Sequence, residues 1–234
     1  KITSTEKNTQ QSEYEIRVGT DKTSLNKGKD LVWKNHTVTD QSIWINYAGS
    51  PLQSKKKYFW QVRVKDNHGN RSAWSTIGFF QMGMAAADWH AQWITVSGKD
   101  TSARSPIFRK EFTLKKKIKS AMAYITAKGL YEAKLNGLRI SDTYFAPGWT
   151  SYKNQLQYQV YDVTSFLTVG SNVIGASLGN GWYKGRIGFG NQHNFYGDTR
   201  ALLLQLEVEY TDGTKETIKT DESWKYTYGP IMAS

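Results

Sequence analysis

The sequence contains no cysteine, and it has only four prolines and four histidines in 234 residues. Without cysteine there are no disulfide bonds, thiolate zinc sites or cysteine nucleophiles. The histidines have neither a metal-ligand spacing nor the H-E-x-x-H pattern, so a zinc site is not expected. No apolar run approaches the roughly 18 residues of a membrane-spanning helix, so no membrane span is expected.

Positive charge is in excess, with a formal net charge of +11. The excess is spread along the chain, because residues 1–84 contain 13 Lys and Arg against 7 Asp and Glu, and residues 85–234 contain 18 against 13. The dense clusters Lys55–Lys57 and Lys115–Lys117 lie beside predicted strands and are interpreted as solvated strand ends. Nucleic-acid-binding domains usually concentrate their charge on one face, so no nucleic-acid partner is expected.

Alternating apolar and polar residues in the first region predict half-buried strands. The alternation runs through Tyr14–Val18, Ile43–Tyr47 and Tyr58–Val64, and the segment Ser72–Phe80 is expected to supply the last strand. This strand spacing is typical of a fibronectin type III-like β-sandwich, which we assign to residues 1–84. Within it, Trp60 is expected to be a core residue.

The second region, residues 85–234, has the same all-β character after a linker that begins at Ala85. Asn136-Gly137 directly follows a predicted strand and is a strong signal for a two-residue hairpin. Alternate residues of Leu202–Tyr210 form a five-position apolar face, and Asp162 is expected to cap a single helical turn. The strand order favours a jelly-roll β-sandwich, so the whole chain is predicted to be all-β.

A glycine-rich loop is the most informative stretch for function. From Gly179 to Gly197 it contains six glycines, five aromatic residues, three asparagines and no carboxylate. Aromatic faces and amide side chains are suited to holding a small polar ring such as a sugar, and glycine permits positive φ and close approach. The candidate ligand-binding residues of this loop are Asn180, Trp182, Tyr183, Arg186, Asn194, Tyr196 and Asp198.

Each of these side chains also has a structural interpretation, which stays open from the sequence alone. The aromatic residues, with Phe189 and Phe195 among them, could fold back and fix the loop to the sandwich. The asparagines, including Asn191, favour turn positions with positive φ. Asp198 could form a loop-closing ion pair with Arg200, and His193 could contact a ligand hydroxyl or only solvent.

No catalytic residue is predicted in this chain. The G-x-S-x-G pattern of serine hydrolases is absent, and the glycine-rich loop matches neither common nucleotide-binding pattern. Glycoside hydrolysis needs two carboxylates that flank the scissile bond. The candidates Glu132, Asp142 and Asp198 are not placed in apolar segments, and Glu132 has the strand parity opposite to Tyr131, which indicates a solvent-facing position.

Several segments in one order resemble the N-terminal part of bacterial α-L-rhamnosidases of glycoside hydrolase family 78. In the first region they are Asp30–Trp33, Tyr58–Val64 and Ser72–Ser75, and at the junction Asp88–Ile94. In the second region they are Gly129–Glu132, Leu135–Gly137, Ala146–Thr150, Gln157–Val163, Gly181–Arg186 and Asn194–Asp198. The resemblance covers nearly the whole chain.

The resemblance implies an enzyme that hydrolyses terminal α-L-rhamnose with inversion, in the bacterial periplasm or after secretion. The acid and base carboxylates of the family lie in a downstream (α/α) barrel of the same polypeptide. This chain would then be an accessory region, either binding a rhamnose-containing glycan or glycoside, or docking on and supporting the barrel.

In some members of the family, the jelly-roll is a calcium-dependent rhamnose-binding module. There, an acidic residue and an asparagine just before the Q-Y-x-x-Y-D-V segment contact the ion and the sugar. The matching residues here are Lys153 and Asn154. The resemblance therefore makes Asn154 a candidate for contacting sugar and calcium, whereas Lys153 in place of an acid disfavours the ion, because calcium prefers anionic oxygens.

Overall fold

The computed structural model describes residues 3–188, 190 and 192–232. The chain divides into two compact units, Lys1–Trp89 and His90–Ser234. Antiparallel β-sheets build both units, which confirms the all-β class expected from the sequence. In the described part of the chain, no helix is long and apolar enough to cross a membrane. Phe189 and Asn191 lie outside the described residues.

The first unit contains a four-stranded antiparallel sheet in the order β2-β1-β3-β4. Its elements are β1 (Gln11–Gly19), α1 (Lys22–Asn26), β2 (Leu31–Val38), β3 (Lys57–Asp66) and β4 (Gly78–Gln81). The strands predicted at Tyr14–Val18 and Tyr58–Val64 lie within β1 and β3, as expected. Helix α1 begins after Asp21, whose side chain accepts a hydrogen bond from the Ser24 backbone N–H at 2.8 Å.

The strand predicted at Ile43–Tyr47 is wrong, and the strand beside β1 is instead β2. Ile43 and Trp44 are 67% and 85% exposed, and Trp44 has φ +59°. A left-handed residue interrupts the extended backbone that strand pairing needs. The alternation of apolar residues in this segment therefore belongs to an exposed loop rather than to a half-buried strand.

The charged side of this first sheet is covered by a tryptophan. Trp74 lies between two guanidinium groups, with its ring centre 3.9 Å from Arg17 and 4.6 Å from Arg63. Arg17 is buried and donates to Gln61 Oε1 at 2.7 Å. Trp60, which the sequence indicated as a core residue, is only half-buried, so the expectation of a buried indole at this position is wrong.

The carboxylates of β1 are matched by cations on the neighbouring strands. Glu13 accepts from Lys65 Nζ at 2.8 Å and contacts His36 Nε2, and these hydrogen bonds lower its pKa to about 2. Glu15 pairs with Arg63 at 2.8 Å, and hydrogen bonding to this guanidinium holds the pKa of the carboxyl below its usual value. The alternating charges of the sequence are therefore cross-strand pairs.

The second unit packs two antiparallel sheets against each other. Over the described residues, one sheet has the order β13-β5-β10-β7-β8 and the other the order β12-β11-β6-β9. The strands are β5 (Arg104–Leu114), β6 (Ile118–Lys128), β7 (Leu130–Leu135), β8 (Leu138–Arg139), β9 (Gln159–Asp162), β10 (Gly170–Gly179), β11 (Ala201–Tyr210), β12 (Lys215–Lys219) and β13 (Lys225–Met232). A short helix, α2 (Gly181–Lys184), follows β10.

The five-position apolar face predicted in Leu202–Tyr210 is the centre of this core. Leu202, Leu204 and Leu206 of β11 are 0% exposed. They belong to the same buried cluster as Phe108 of β5 and Ile174 of β10 in the opposite sheet. Burial of large apolar side chains from both sheets supplies the main driving force for the sandwich.

Two turn predictions in this unit are confirmed. Asn136 and Gly137 have φ +52° and +86° and connect β7 to β8 as a two-residue hairpin. Asn136 also accepts from the Val173 backbone N–H at 2.8 Å, which ties the hairpin to β10. A single 3₁₀ turn follows Asp162 as expected, although its N-cap residue is Val163; the Asp162 side chain accepts from the Thr164 backbone N–H at 3.1 Å.

We expect Gly137→Val to destabilise the second unit by about 1–2 kcal/mol, because an L-residue is strained in the left-handed region and a β-branched one especially so. Thermal unfolding of the chain measures the effect. Gly137→Asn is the matched control, since asparagine tolerates this conformation. Equal melting temperatures for the valine and asparagine variants would contradict the turn assignment.

Candidate functional site

The glycine-rich loop joins β10 to β11 and includes helix α2. Gly181 has φ +49°, and a Cβ atom there would lie 2.5 Å from Leu130 Cγ. A Cβ atom at Gly197 would overlap the hydroxyl group of Tyr183. Glycine is therefore required at these two positions because side chains of the protein itself, rather than a ligand, lie close to the backbone there.

A buried ion pair fixes the far end of this loop. Arg200 and Asp100 both have fully buried side chains. The guanidinium donates to both carboxylate oxygens, from Nε to Oδ2 at 2.8 Å and from Nη2 to Oδ1 at 2.7 Å. The Arg200 backbone N–H also donates to Asp100 Oδ2 at 2.9 Å. Such a bidentate arrangement determines the orientation of both groups.

Lysine 184 connects helix α2 to the same carboxylate. Lys184 Nζ lies 3.0 Å from Asp100 Oδ2 and also donates to the Asp100 backbone carbonyl. Burial of Asp100 disfavours its charged form, but the hydrogen bonds from Arg200 and Lys184 outweigh this effect and lower its pKa to about 2. The carboxylate is therefore ionised at neutral pH, and three segments of the chain meet at it.

Aromatic rings form a continuous surface on one side of the loop, which we call the aromatic surface. Its members are Phe145, Trp149, Tyr152, Trp182, Tyr183, Phe195 and Tyr196. Trp149 and Trp182 stack with ring centres 5.9 Å apart and an interplanar angle of 4°. Phe145, Trp149 and Phe195 are more than half exposed, at 67%, 53% and 55%.

The stacking decides which tryptophan face a ligand can reach. One face of Trp182 is covered by Trp149, and Phe145 makes an edge-type contact with Trp182 at 6.1 Å between ring centres. Trp149 Nε1 donates to the Tyr196 hydroxyl at 3.3 Å. Trp182, Tyr183 and Tyr196 are half-buried, so these rings fix the loop to the segment around Trp149, while Phe195 remains exposed.

A cleft of about 490 Å³ opens between the loop and the segment before β5. Its lining residues are Lys99, Asp100, Thr101, Ser102, Ala103, Asn180, Lys184, Gly185, Arg186, His193, Asn194, Asp198 and Thr199. The wall opposite the loop is the segment before β5, held in place by Asp100. The volume lies within the range of small-ligand sites.

The predicted site residues separate into three groups. Asn180, Arg186, Asn194 and Asp198 line the cleft. Trp182, Tyr183 and Tyr196 belong to the aromatic surface. Asn154 is exposed, donates through Nδ2 to Ser151 Oγ at 3.2 Å, and does not line the cleft.

The alternatives left open by the sequence have different outcomes. The ion pair suggested between Asp198 and Arg200 is wrong, because Arg200 pairs with the buried Asp100, whereas Asp198 is exposed and accepts from Thr199 Oγ1 at 2.9 Å. Asn194 has φ +58°, as a turn asparagine does, but Asn180 has φ −64°. His193 lines the cleft, a position from which it could contact either a ligand hydroxyl or only solvent.

The residues around Asn154 do not fit a calcium ion. Within the described residues there is no group of three His, Asp or Glu side chains that could hold a metal. Lys153 stands beside Asn154 and contributes a positive charge. Calcium needs several oxygen ligands, commonly including carboxylates.

Sequence reasoning missed the residues that come from outside the loop. Asp100 is a hundred positions away from Arg200, and nothing in its sequence context indicated a buried pair. Trp149 and Phe145 lie near the Ala146–Thr150 segment, whose aromatic content could have marked it as a neighbour of the loop. Lys184 lies within the Gly181–Arg186 segment, but nothing in the sequence distinguishes it from the other lysines of the chain.

An all-β chain with a buried-ion-pair anchor, a polar cleft and an exposed aromatic surface belongs to the class of β-sandwich modules. Residues 116–234 match the family described as "Alpha-L-rhamnosidase N-terminal domain", and residues 1–86 match "Rha78A-like, N-terminal immunoglobulin domain". The chain therefore belongs to the family of N-terminal regions of glycoside hydrolase family 78 α-L-rhamnosidases, which confirms the resemblance found in the sequence.

Known proteins of this family match along nearly the whole chain. An α-L-rhamnosidase of Formosa agariphila is 37% identical over 237 residues, covering 96% of this chain and 25% of that protein. The structure of an α-L-rhamnosidase from Dictyoglumus thermophilum is 36% identical with a TM-score of 0.88, covering 100% of this chain and 27% of that one.

A third comparison is with the crystal structure of Streptomyces avermitilis α-L-rhamnosidase complexed with L-rhamnose. It is 25% identical with a TM-score of 0.87, covering 98% of this chain and 39% of that one. The chain spans about a quarter of the length of the curated relatives that it matches.

We expect Asp100→Asn to destabilise the second unit by about 3–5 kcal/mol, because it leaves the buried Arg200 guanidinium without a counter-charge. Urea unfolding at pH 7 measures the loss. Asp198→Asn is the matched control, since this exposed carboxylate has no ion pair within the described residues, and its variant should unfold near the wild-type midpoint.

The pH dependence provides a check on the same ion pair. The folded-state pKa of Asp100 is lowered below the usual value of an aspartate, so its stabilisation is complete above that usual value and is lost as the pH falls towards about 2. Wild type should therefore lose more stability than Asp100→Asn over this range. A parallel loss in both proteins would show that Asp100 does not contribute to it.

Proposed function

We propose that this chain is a non-catalytic accessory region of an α-L-rhamnosidase, and that the cleft of its second unit binds a rhamnosyl sugar. The parent protein would hydrolyse terminal α-L-rhamnose with inversion, using carboxylates of a downstream (α/α) barrel, during the breakdown of rhamnose-containing polysaccharides. For that role, we propose that the parent protein is periplasmic or secreted.

The observation that carries the sugar proposal is the chemistry of the cleft lining. Asn180 and Asn194 present amides on the loop side, and Thr101, Ser102 and Thr199 present hydroxyl groups. Amides and hydroxyls both donate and accept hydrogen bonds, as the hydroxyls of a sugar do. A few convergent polar groups in a cavity of this size are typical of small-ligand sites.

The non-catalytic part of the proposal is supported by the state of the cleft carboxylates. Among the described lining residues, these are Asp100 and Asp198. A glycosidase needs one carboxylic acid with a raised pKa to protonate the leaving group. The pKa of Asp100 is instead lowered to about 2, and both of its oxygens accept from Arg200, so it has no proton to donate at neutral pH.

The choice of sugar is supported by the relatives. Those with curated names are α-L-rhamnosidases, and one solved relative was crystallised with L-rhamnose.

Calorimetric titration of the chain with L-rhamnose should give a millimolar dissociation constant, equivalent to about −4 kcal/mol. Asn194→Gly should weaken binding severalfold, because it removes a cleft amide while keeping a residue that tolerates positive φ. Asn154→Gly is the matched control, removing an exposed amide outside the cleft. An absence of heat at millimolar sugar, or equal weakening by both variants, would contradict sugar binding in the cleft.

A second function is favoured by the aromatic surface, which could dock against the catalytic barrel of the same polypeptide. Three of its rings, those of Phe145, Trp149 and Phe195, are more than half exposed, and Trp149 stacks on the half-buried Trp182. Contiguous exposed apolar surface usually marks an interaction site. In this case, the loop would support the barrel, and the cleft would be incidental to it.

Trp149→Ala tests the docking role in a longer chain that carries the barrel. Since buried tryptophans at interfaces commonly contribute 2 kcal/mol or more, we expect a lower melting temperature in the longer chain but a much smaller effect in the 234-residue chain. The control is Trp44→Ala, an exposed tryptophan of the first unit. An equal effect of Trp149→Ala in both chains would rule out docking through this ring.

A further inference from the structure

The cleft has an uneven charge. Among the described lining residues, the side chains that are charged at neutral pH are Lys99, Lys184 and Arg186 against Asp100 and Asp198. The lining therefore has three cations and two carboxylates. The buried Arg200, which pairs with Asp100, adds a fourth positive charge next to the lining. A neutral sugar has no need of this excess, since its hydroxyls are satisfied by amides and other hydroxyls.

The negative charge of Asp100 is already compensated. Arg200 covers both of its oxygens, and this guanidinium is fully buried and cannot reach solvent. Asp100 and Arg200 together are neutral, so the charge of Lys184 is not cancelled by the carboxylate that it contacts. The side chain of Lys184 is 13% exposed and lines the cleft, so its positive charge contributes to the electrostatic potential in the cleft.

The other two cations have no carboxylate partner of their own. Neither Lys99 nor Arg186 forms an ion pair within the described residues, and both are exposed at the cleft. An arginine with a free guanidinium is well suited to the planar, bidentate recognition of a carboxylate or a sulfate. Lys99 lies on the wall before β5 and Arg186 on the loop, so the positive charges come from both sides of the cleft.

Asp198 lies close to a different part of the loop. Gly197, the residue before Asp198, lies against the Tyr183 hydroxyl, and burial together with the negative charge of Asp198 raises the pKa of Tyr183. The segment of Tyr183 faces the aromatic surface, where Tyr152 packs on it with ring centres 5.3 Å apart. Asp198 is thus available to accept hydrogen bonds from sugar hydroxyls, beside the tyrosine.

We propose that the ligand of this cleft is an acidic rhamnosyl glycan, in which a carboxylate or a sulfate ester close to the rhamnosyl residue is bound by Lys99, Lys184 and Arg186. This inference rests on the proposed function and specifies its ligand class. The shared chemistry is a fixed anion on a sugar, and its source is either a neighbouring uronic acid or a sulfate on the rhamnose.

The test uses two matched pairs of probes in calorimetric titrations of the 234-residue chain. One pair is a disaccharide of α-L-rhamnose linked to D-galacturonic acid and the methyl ester of the same disaccharide. The other is a monosulfate ester of L-rhamnose and L-rhamnose itself. In low salt, we expect at least ten-fold tighter binding of the charged member of one pair, and the preference should shrink at about 1 M salt, where the Debye length is about 3 Å.

The double variant Lys99→Gln with Arg186→Gln should lose this preference and bind the two members of each pair with equal affinity. The matched control is Lys115→Gln with Lys117→Gln, which removes two exposed positive charges from the turn between β5 and β6. The control should keep the preference. Melting temperatures establish that each variant is folded.

Each outcome decides the inference. A preference confined to the galacturonate pair, or to the sulfate pair, supports it and identifies the source of the anion. Equal affinities within both pairs, with L-rhamnose still bound, overturn the acidic ligand and leave the proposed function standing. A preference that survives the cleft double variant overturns the assignment to these residues, and no binding of any probe overturns both proposals.

Discussion

The buried pair of Asp100 and Arg200 is the interaction on which the candidate site depends. It joins the segment before β5 to the start of β11, and Lys184 adds helix α2 to the same carboxylate. Because both partners are fully buried, neither can be removed without leaving a charge uncompensated in the interior. The two walls of the cleft are therefore held together by one carboxylate.

The same pair sets the chemistry of the cleft. A carboxylate that accepts from a guanidinium and an ammonium stays ionised, so it cannot act as the protonated acid of a glycosidase. Since Arg200 compensates its charge from beneath, the remaining cations determine the sign of the cleft. A structural anchor thus disfavours acid catalysis at this position and leaves an excess of positive charge in the cleft lining.

Local signals in the sequence predicted the elements that local physics determines. The Asn136-Gly137 turn and the apolar face of Leu202–Tyr210 follow from residue type and period alone. The strand predicted at Ile43–Tyr47 was wrong, because an alternating apolar pattern does not show that Trp44 has a positive φ. For the site, the loop composition located one wall of the cleft, whereas Asp100 could not be found, since its role depends on a contact a hundred positions away.

The glycine-rich loop contains residues that fix its shape and residues that line the cleft, and the sequence alone did not distinguish the two sets. Position 197 requires glycine, because the Tyr183 hydroxyl occupies the space that a Cβ atom would need. The half-buried Trp182 and Tyr196 both contact Trp149. These residues give the loop its shape, and their role in sugar contacts stays a prediction. The side chains left facing the cleft are polar or charged, and the rings left facing outward are Phe145, Trp149 and Phe195. Because the cleft lining and the aromatic surface share no residue, substitutions in one can test sugar binding separately from docking by the other.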